Sequence, residues 1–356
     1  MTPLPSFSRR RMLLGLGAGL LACPKLTSAE DLLPKHITPE SMIAVKKGLD
    51  YLSKVQASDG SWHGLADGDT YPVAMAALAG MAFLSNGSTS TRGAYADQVR
   101  RTTSFIVSRA QSGGRAQLDG LIAEGEEQGH PMYGHGFALL FLSSAYGMET
   151  RPDVRKKMET VIKNGIQLTA RGQSNLGGWT YYPGGGDEGS VTVTQMQGLR
   201  AAHNAGFTIP KGTIENAIRY LELCKTPDGG ICYSYGSGSD TRLPITAAAI
   251  CCLYSAGEYE SPLAESCMKF VMEQFKSSQN EFNSGHYFYL HLYASLAFYQ
   301  AGDQYWDAYF PKARDNLLKQ QKSDGSWLDG VGSVFGTSLA GILLQIPFKY
   351  LPIYQR

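Results

Sequence analysis

The sequence lacks most of the features that announce a common enzyme or a nucleic-acid partner. Its 32 basic and 31 acidic residues leave a net charge of +1, without the basic excess that a nucleic-acid surface shows. Cysteine is sparse: Cys23 lies near the N-terminus, and Cys224, Cys232, Cys251, Cys252 and Cys267 follow far downstream. Five irregularly spaced cysteines after the leader do not make a disulfide framework; they read as small buried apolar residues. There is no Gly-x-Ser-x-Gly elbow, no His-Glu-x-x-His helix and no phosphate-cradling loop. The glycines of Pro183-Gly184-Gly185-Gly186-Asp187 are not followed by the Lys-Ser/Thr that such a loop needs. Common hydrolases and nucleotide enzymes therefore lose their usual signatures. What the chain has in quantity is glycine, 41 residues, and tyrosine, 20 against four tryptophans.

Residues 1–29 read as a targeting segment. Ser8-Arg9-Arg10-Arg11-Met12-Leu13-Leu14 resembles the twin-arginine export motif. The apolar run from Met12 to Cys23 is too short to span a bilayer, and Thr27-Ser28-Ala29 offers a small-residue cleavage site. Leu20-Leu21-Ala22-Cys23 also resembles a lipobox, although Pro24 directly after the cysteine weighs against lipidation. The expected address is the periplasm, reached by an already folded chain, with no transmembrane helix in the mature protein. Residues 30–38 read as a linker and 39–356 as one domain, expected to be a monomer.

That domain repeats itself. Gln56-Ala57-Ser58-Asp59-Gly60-Ser61-Trp62 returns as Gln321-Lys322-Ser323-Asp324-Gly325-Ser326-Trp327. Gln173 to Trp179 and Lys225 to Ile231 lie between them, with weaker copies at Gln111-Ser112-Gly113-Gly114 and near Gln274. Successive starts are 55, 62, 52, 49 and 47 residues apart, the sign of a repeat architecture. Within each period a charge-rich segment of helical spacing comes first, as at Tyr95, Val99, Thr102 and Ile106. The Gln…Asp-Gly…Trp turn follows, then a segment with few charges such as Tyr71 to Leu84 or Ile245 to Ala256. This order predicts an all-α ring in which polar-faced outer helices surround buried inner ones.

The repeat resembles the QW-type repeat of squalene and oxidosqualene cyclases, shared more loosely by protein prenyltransferase β subunits. The resemblance covers residues 39–356 and implies an α/α toroid of six helical hairpins. It also implies two chemistries. Cyclases protonate a polyprene with an Asp-x-Asp-Asp motif; here Asp67-Gly68-Asp69-Thr70 keeps two aspartates, with Asp69 in the place of the protonating acid and Asp67 beside it. Prenyltransferases hold zinc with Asp, Cys and His. Cys232 lies in a similar turn and His286 or His291 could supply the histidine, but Gly230 stands where the aspartate should be, so the zinc site is incomplete.

In such a ring the turns after the outer helices feed the inner-helix N-termini at one mouth. The lumen candidates are therefore Tyr71, His130, Tyr133, His135, Asp187, Asp240, Arg242, His286, Tyr289 and His291, with no metal or cofactor predicted. Each histidine could instead bond a loop carbonyl, and Asp240 with Arg242 could be a surface pair. The function expected is binding of a hydrophobic, isoprenoid-like ligand or a peptide in a central cavity. The alternatives are a cyclase acting through Asp69, and an interaction module of the cell envelope with a packed lumen.

Overall fold

The computed structural model describes residues 33–125, 127–277 and 286–355. The leader, Cys23 and most of the turn after Gln274 lie outside the described residues. Pro34–Arg356 forms one unit; its regular elements are helices, and no strand occurs among the described residues. Among those residues, no helix is long and apolar enough to cross a membrane.

Two kinds of helix alternate. The first kind comprises α1 (Pro39–Val55), α4 (Ala96–Ser108), α6 (Pro152–Arg171), α8 (Thr213–Leu223), α10 (Pro262–Ser277) and α12 (Asp303–Gln320). These bury one stripe each; in α6 it is Met158, Val161, Ile162, Ile166 and Thr169, recurring every three or four residues. The second kind comprises α3 (Pro72–Ser85), α5 (Pro131–Tyr146), α7 (Gly189–Asn204), α9 (Leu243–Ser255), α11 (Tyr287–Ala301) and α13 (Ser333–Gln345), with the short α2 (Ala66–Thr70) before α3. Every residue of α3 is buried, which is the behaviour of a helix with neighbours on all sides. Each inner helix packs on the next, and α13 returns to α3, closing an α/α toroid. Small residues let the backbones meet: a side chain at Gly198 of α7 would collide with the Gly136 carbonyl of α5.

Proline starts many of these helices, at Pro39, Pro72, Pro131, Pro152 and Pro262, where its missing N–H costs nothing. The first is also boxed: the Thr38 hydroxyl accepts from the Ser41 amide at 3.2 Å, and the Ser41 hydroxyl accepts from the Thr38 amide at 3.0 Å.

The repeated turn holds the ring together. Its tryptophan is fully buried and donates its indole N–H back to the outer helix just left: Trp62 to Leu52 O (3.1 Å), Trp179 to Thr169 O (2.7 Å), Trp327 to Leu317 O (2.8 Å). Its glutamine reaches the next outer helix. Gln56 donates to Thr102 Oγ1 (3.0 Å), Gln173 to Thr213 O (2.9 Å) and Gln321 to Ala44 O (2.8 Å). Its glycine has positive φ, +97° at Gly60 and +91° at Gly325, with a backbone carbonyl of that next helix where a Cβ would stand. Only glycine meets both conditions. The second copy departs from the sequence expectation. Gly113 faces open space, whereas Gly120 takes the docked place against Asn164 of α6, and Ile122 stands where tryptophan would. An insertion had displaced the turn.

Candidate functional site

The inner helices begin at one mouth, and three buried carboxylates meet their first turns there. Glu188 caps α7, accepting from the Ser190 amide at 2.8 Å and from the Val191 amide. Glu127, from the loop before α5, accepts from the Val73 amide of α3 at 3.0 Å. Asp67 of α2 accepts from the Phe335 amide of α13 at 3.0 Å. Gly332 and Gly134 make room for Asp67 and Glu127 respectively, since a Cβ on either would strike the carboxyl group. A helix N-terminus favours an anion, yet burial dominates at all three and pushes each carboxyl above its ordinary range, Glu127 to about 8. Glu127 and Gln128 both adopt positive φ, 42° and 54°, a strained local backbone that brings the Glu127 side chain inward.

Tyrosines surround these acids. The Tyr133 hydroxyl bonds Ser190 Oγ, which in turn donates to the Glu188 carboxylate at 2.7 Å. Tyr181 and Tyr233 share a hydroxyl–hydroxyl bond. His130 stands edge-on to the Tyr181 ring at 4.1 Å and lies 6.4 Å from Tyr71. Tyr289, on the helix across the ring from α5, packs its ring 4.7 Å from that of Tyr293, and burial pushes its hydroxyl well above its ordinary range. Tyr71, Tyr133, Tyr181, Tyr233 and Tyr289 all keep partial exposure. Through His130 and the Tyr181–Tyr233 bond, Tyr71, Tyr133, Tyr181 and Tyr233 form one partly exposed aromatic cluster at the mouth, the vestibule.

Below it the barrel is packed. In their middle turns all six inner helices are buried, with Met75, Leu78 and Leu339 at 2% exposure and Leu140 and Leu292 at 5%. An internal chamber would show as accessible wall, and these walls are not accessible. The opposite end is covered by the chain's own tail. The 3₁₀ turn Pro352–Tyr354 lies against α7 with Tyr354 buried, and Gln300 donates to Gln355 O at 3.4 Å.

No family model matches the chain, and no curated protein does. Solved structures do. A protein from Actinoplanes matches with TM-score 0.55 and 15% identity over 87% of this chain and 99% of that one. A variant of the type II terpene cyclase MstE from Scytonema, in complex with merosterolic acid A, matches with TM-score 0.58 and 12% identity over 86% and 97%. The apo form of MstE matches with 0.54 and 13% over 88% and 100%. The chain has a terpenoid-cyclase-like fold. At these identities the likeness extends to the fold alone.

Within that fold the residues expected at the lumen fall into three groups. Tyr71, His130 and Tyr133 come together in the vestibule, with Tyr289 in the first turn of α11 at the same mouth. Asp187, Asp240, Arg242 and His286 sit on its loops. Asp187 accepts from Ser174 Oγ (3.0 Å) inside its own turn, Asp240 and Arg242 form an exposed pair at 2.9 Å, and His286 is exposed at φ 62°. His135 and His291 are part of the wall. The Ile122 amide donates to His135 Nδ1 at 3.2 Å while His135 Nε2 bonds Thr169 Oγ1 at 2.9 Å, and burial holds this imidazole down to about 3, so it is neutral. It replaces the threonine that latches three other turns, where Thr192, Thr246 and Thr337 Oγ1 accept from the Trp179, Ile231 and Trp327 amides at 3.0, 3.0 and 2.9 Å. His291 is buried, with Nδ1 2.5 Å from the Tyr309 hydroxyl.

The two aspartates exchange places relative to the sequence ranking. Asp69 is exposed; the Gly64 amide (2.9 Å) and then His63 (Nδ1 at 3.1 Å) hold its carboxyl below the ordinary range. Asp67 is the buried one. Cys232 donates its thiol to Ser234 O at 3.2 Å, and among the described residues no group of three or more His, Cys, Asp or Glu is placed to hold a metal. Glu127, Glu188, Tyr181 and Tyr233 were not singled out from the sequence. Glu188 was within reach, two residues before Ser190 at a helix start; Glu127 caps a helix 54 residues away, and no local pattern reports that.

Proposed function

We propose that this is an exported binding protein that recognises its ligand at the tyrosine-lined vestibule, without catalysis. The observation that carries this reading is the contrast in accessibility between the vestibule and the packed lumen beneath it. A group of side-chain size, such as the end of a peptide segment of an envelope partner or the head of a longer isoprenoid, fits such a shallow mouth. A whole polyprene has no room in the barrel. Aromatic side chains with polar tips suit this use, because they offer large contact area at small entropy cost.

The cyclase reading draws on the fold neighbours, one of them a variant of MstE in complex with geranylgeranyl dihydroxybenzoate as substrate. The chemistry weighs against it. Protonating an alkene carbon needs a strong acid in its protonated form. Asp69 is held anionic, and Asp67, Glu127 and Glu188 are acids weakened by burial.

Native mass spectrometry of the mature protein purified from its exported fraction tests the proposal. A co-purifying ligand that Tyr133→Ala releases is the expected result. A ligand retained by that variant, or turnover of geranylgeranyl substrates by the wild type, would overturn it.

A further inference from the structure

We propose that Cys224 and Cys232 form a reversible disulfide that fastens the fourth turn of the ring, whatever binds at the vestibule. The two residues flank that turn symmetrically. Lys225 pairs with Ile231 in an antiparallel bridge, the Thr226 amide donates to Gly230 O at 2.9 Å, and the Cys232 amide donates to Cys224 O at 2.9 Å. Cys224 and Cys232 therefore stand directly opposite each other, one position outside the bridge. Opposed residues joined in this way hold their α-carbons about 5.5 Å apart, within the roughly 4.4–6.8 Å that a disulfide spans. Lys225, next to Cys224, is exposed, whereas both cysteines face inward at 0% and 5% exposure. Both are free thiols. Burial pushes the Cys224 thiol up to about 12, and the neighbouring Cys232 adds to that rise. Cys251 and Cys252, although consecutive, turn to different helices: Cys251 donates to Tyr293 O of α11 at 3.2 Å and Cys252 to Val193 O of α7 at 3.5 Å.

The fourth turn is also the one short of fasteners. At the clear turns glutamine reaches the next outer helix and tryptophan bonds back to the last one. Here Lys225 and Ile231 stand in those places, and Ile231 has no donor to return to α8. The Ser266 hydroxyl still docks on Gly229 O at 3.0 Å. Cysteines flank this copy alone; the matching positions hold Val55 and His63, Gly172 and Thr180, and Gln320 and Leu328 at the other three. A bond across the neck of the turn supplies what is missing. It also fixes the chain just before Tyr233, whose carbonyl accepts from the Gly189 amide of α7 at 2.7 Å.

The oxidant is an external disulfide, either of low molecular weight or on a carrier protein. Cys232, close to the exposed segment 235–240, attacks it as the thiolate and joins one of its sulfurs, while the other leaves and takes up a proton. Cys224 then gives up its proton, attacks the Cys232 sulfur and expels the second external thiol. Two protein thiols become one disulfide, and one external disulfide becomes two thiols. The oxidising side of a membrane, the address expected of this chain, supplies such reagents.

The test treats the native mature protein with oxidised glutathione, alkylates it under denaturing conditions and digests it with trypsin without reduction. Trypsin cuts after Arg219, Lys225 and Arg242, so the bond appears as residues 220–225 joined to 226–242. That joined species is expected, abolished by dithiothreitol, with Cys251, Cys252 and Cys267 alkylated. The oxidised protein should melt at a higher temperature than the reduced one, because the bond constrains the unfolded chain, and Cys232→Ser should remove the difference. If that variant folds poorly, the joined peptides of the wild type still decide. Alkylation of both Cys224 and Cys232 after native oxidation, glutathione left on Cys232 without closure, or a bond to any of the other three cysteines overturns the pair. An oxidised form that melts no higher than the reduced one overturns its fastening role.

Discussion

The Gln321 carboxamide donates to the Ala44 carbonyl at 2.8 Å across 277 residues of sequence. Four residues on, Gly325 brings its α-carbon against the Lys47 carbonyl of the same helix. The last turn thereby docks on the first helix as the turns at Gly60, Gly120, Gly177 and Gly229 dock on the helix after each of them. Ring closure is one more copy of the repeat.

Gly325→Ala is accordingly expected to destabilise the whole domain. The substitution meets φ +91° and a carbonyl 2.5 Å from the new Cβ. Left-handed strain and the displaced backbone together should cost about 2–4 kcal/mol. Gly113→Ala is the control, since φ is +71° but nothing lies within 4 Å; about 1 kcal/mol is expected there. Chemical denaturation of the two variants compares them, and equal losses would mean that the closing contact contributes nothing.

Asp67 and Asp69 should separate in the opposite sense to their sequence ranking. Asp67→Asn alters a buried carboxyl that accepts the first-turn amide of α13, and it should loosen that helix start by about 1–2 kcal/mol. Asp69→Asn removes an exposed partner of His63 and should change stability by under about 1 kcal/mol. Amide hydrogen exchange at Val334 and Phe335 reads the difference directly.

The two kinds of helix, the four clear turns and the mouth at which they converge were legible because each depends on local spacing. Tryptophan, Asp-Gly and the apolar runs recur whatever the rest of the chain does. The site itself was legible only in part. Tyr133 and Tyr289 follow from their register at the start of inner helices. His135 lies two residues beyond Tyr133, on the far face of α5, and there its Nδ1 accepts from the Ile122 amide, 13 residues earlier. Lining up Thr192, Thr246 and Thr337 after their turns would have revealed that structural role. Glu127 had no such signal, and a packed lumen cannot be told from an open one by apolar helices alone.

The His135 latch predicts acid sensitivity. Its imidazole titrates near 6.5 in the unfolded chain and about 3 in the fold, so between those values the unfolded state binds the extra proton. Stability is complete above about pH 6.5 and falls as pH drops toward 3, by a few kcal/mol at most. His135→Thr, which installs the residue that Thr192 and Thr337 represent, should flatten that limb of the pH profile even if it leaves a small void. A variant with the same acid midpoint as the wild type would remove His135 as its cause.

Glu127 predicts the opposite slope on the alkaline side. Its carboxyl titrates near 4.3 unfolded and about 8 folded, so through this window the native state holds the proton that the unfolded chain has lost. Stability therefore declines as pH rises from about 4.5 to 8 and levels off beyond, again by a few kcal/mol. Glu127→Gln keeps an oxygen for the Val73 amide and removes the ionisation. It should be neutral near pH 4, more stable than the wild type at pH 8, and flat between. Thermal melts at these two pH values measure the effect. If Glu127→Gln instead lowers Tm equally at both, the carboxyl is held as a charged cap and its burial does not protonate it.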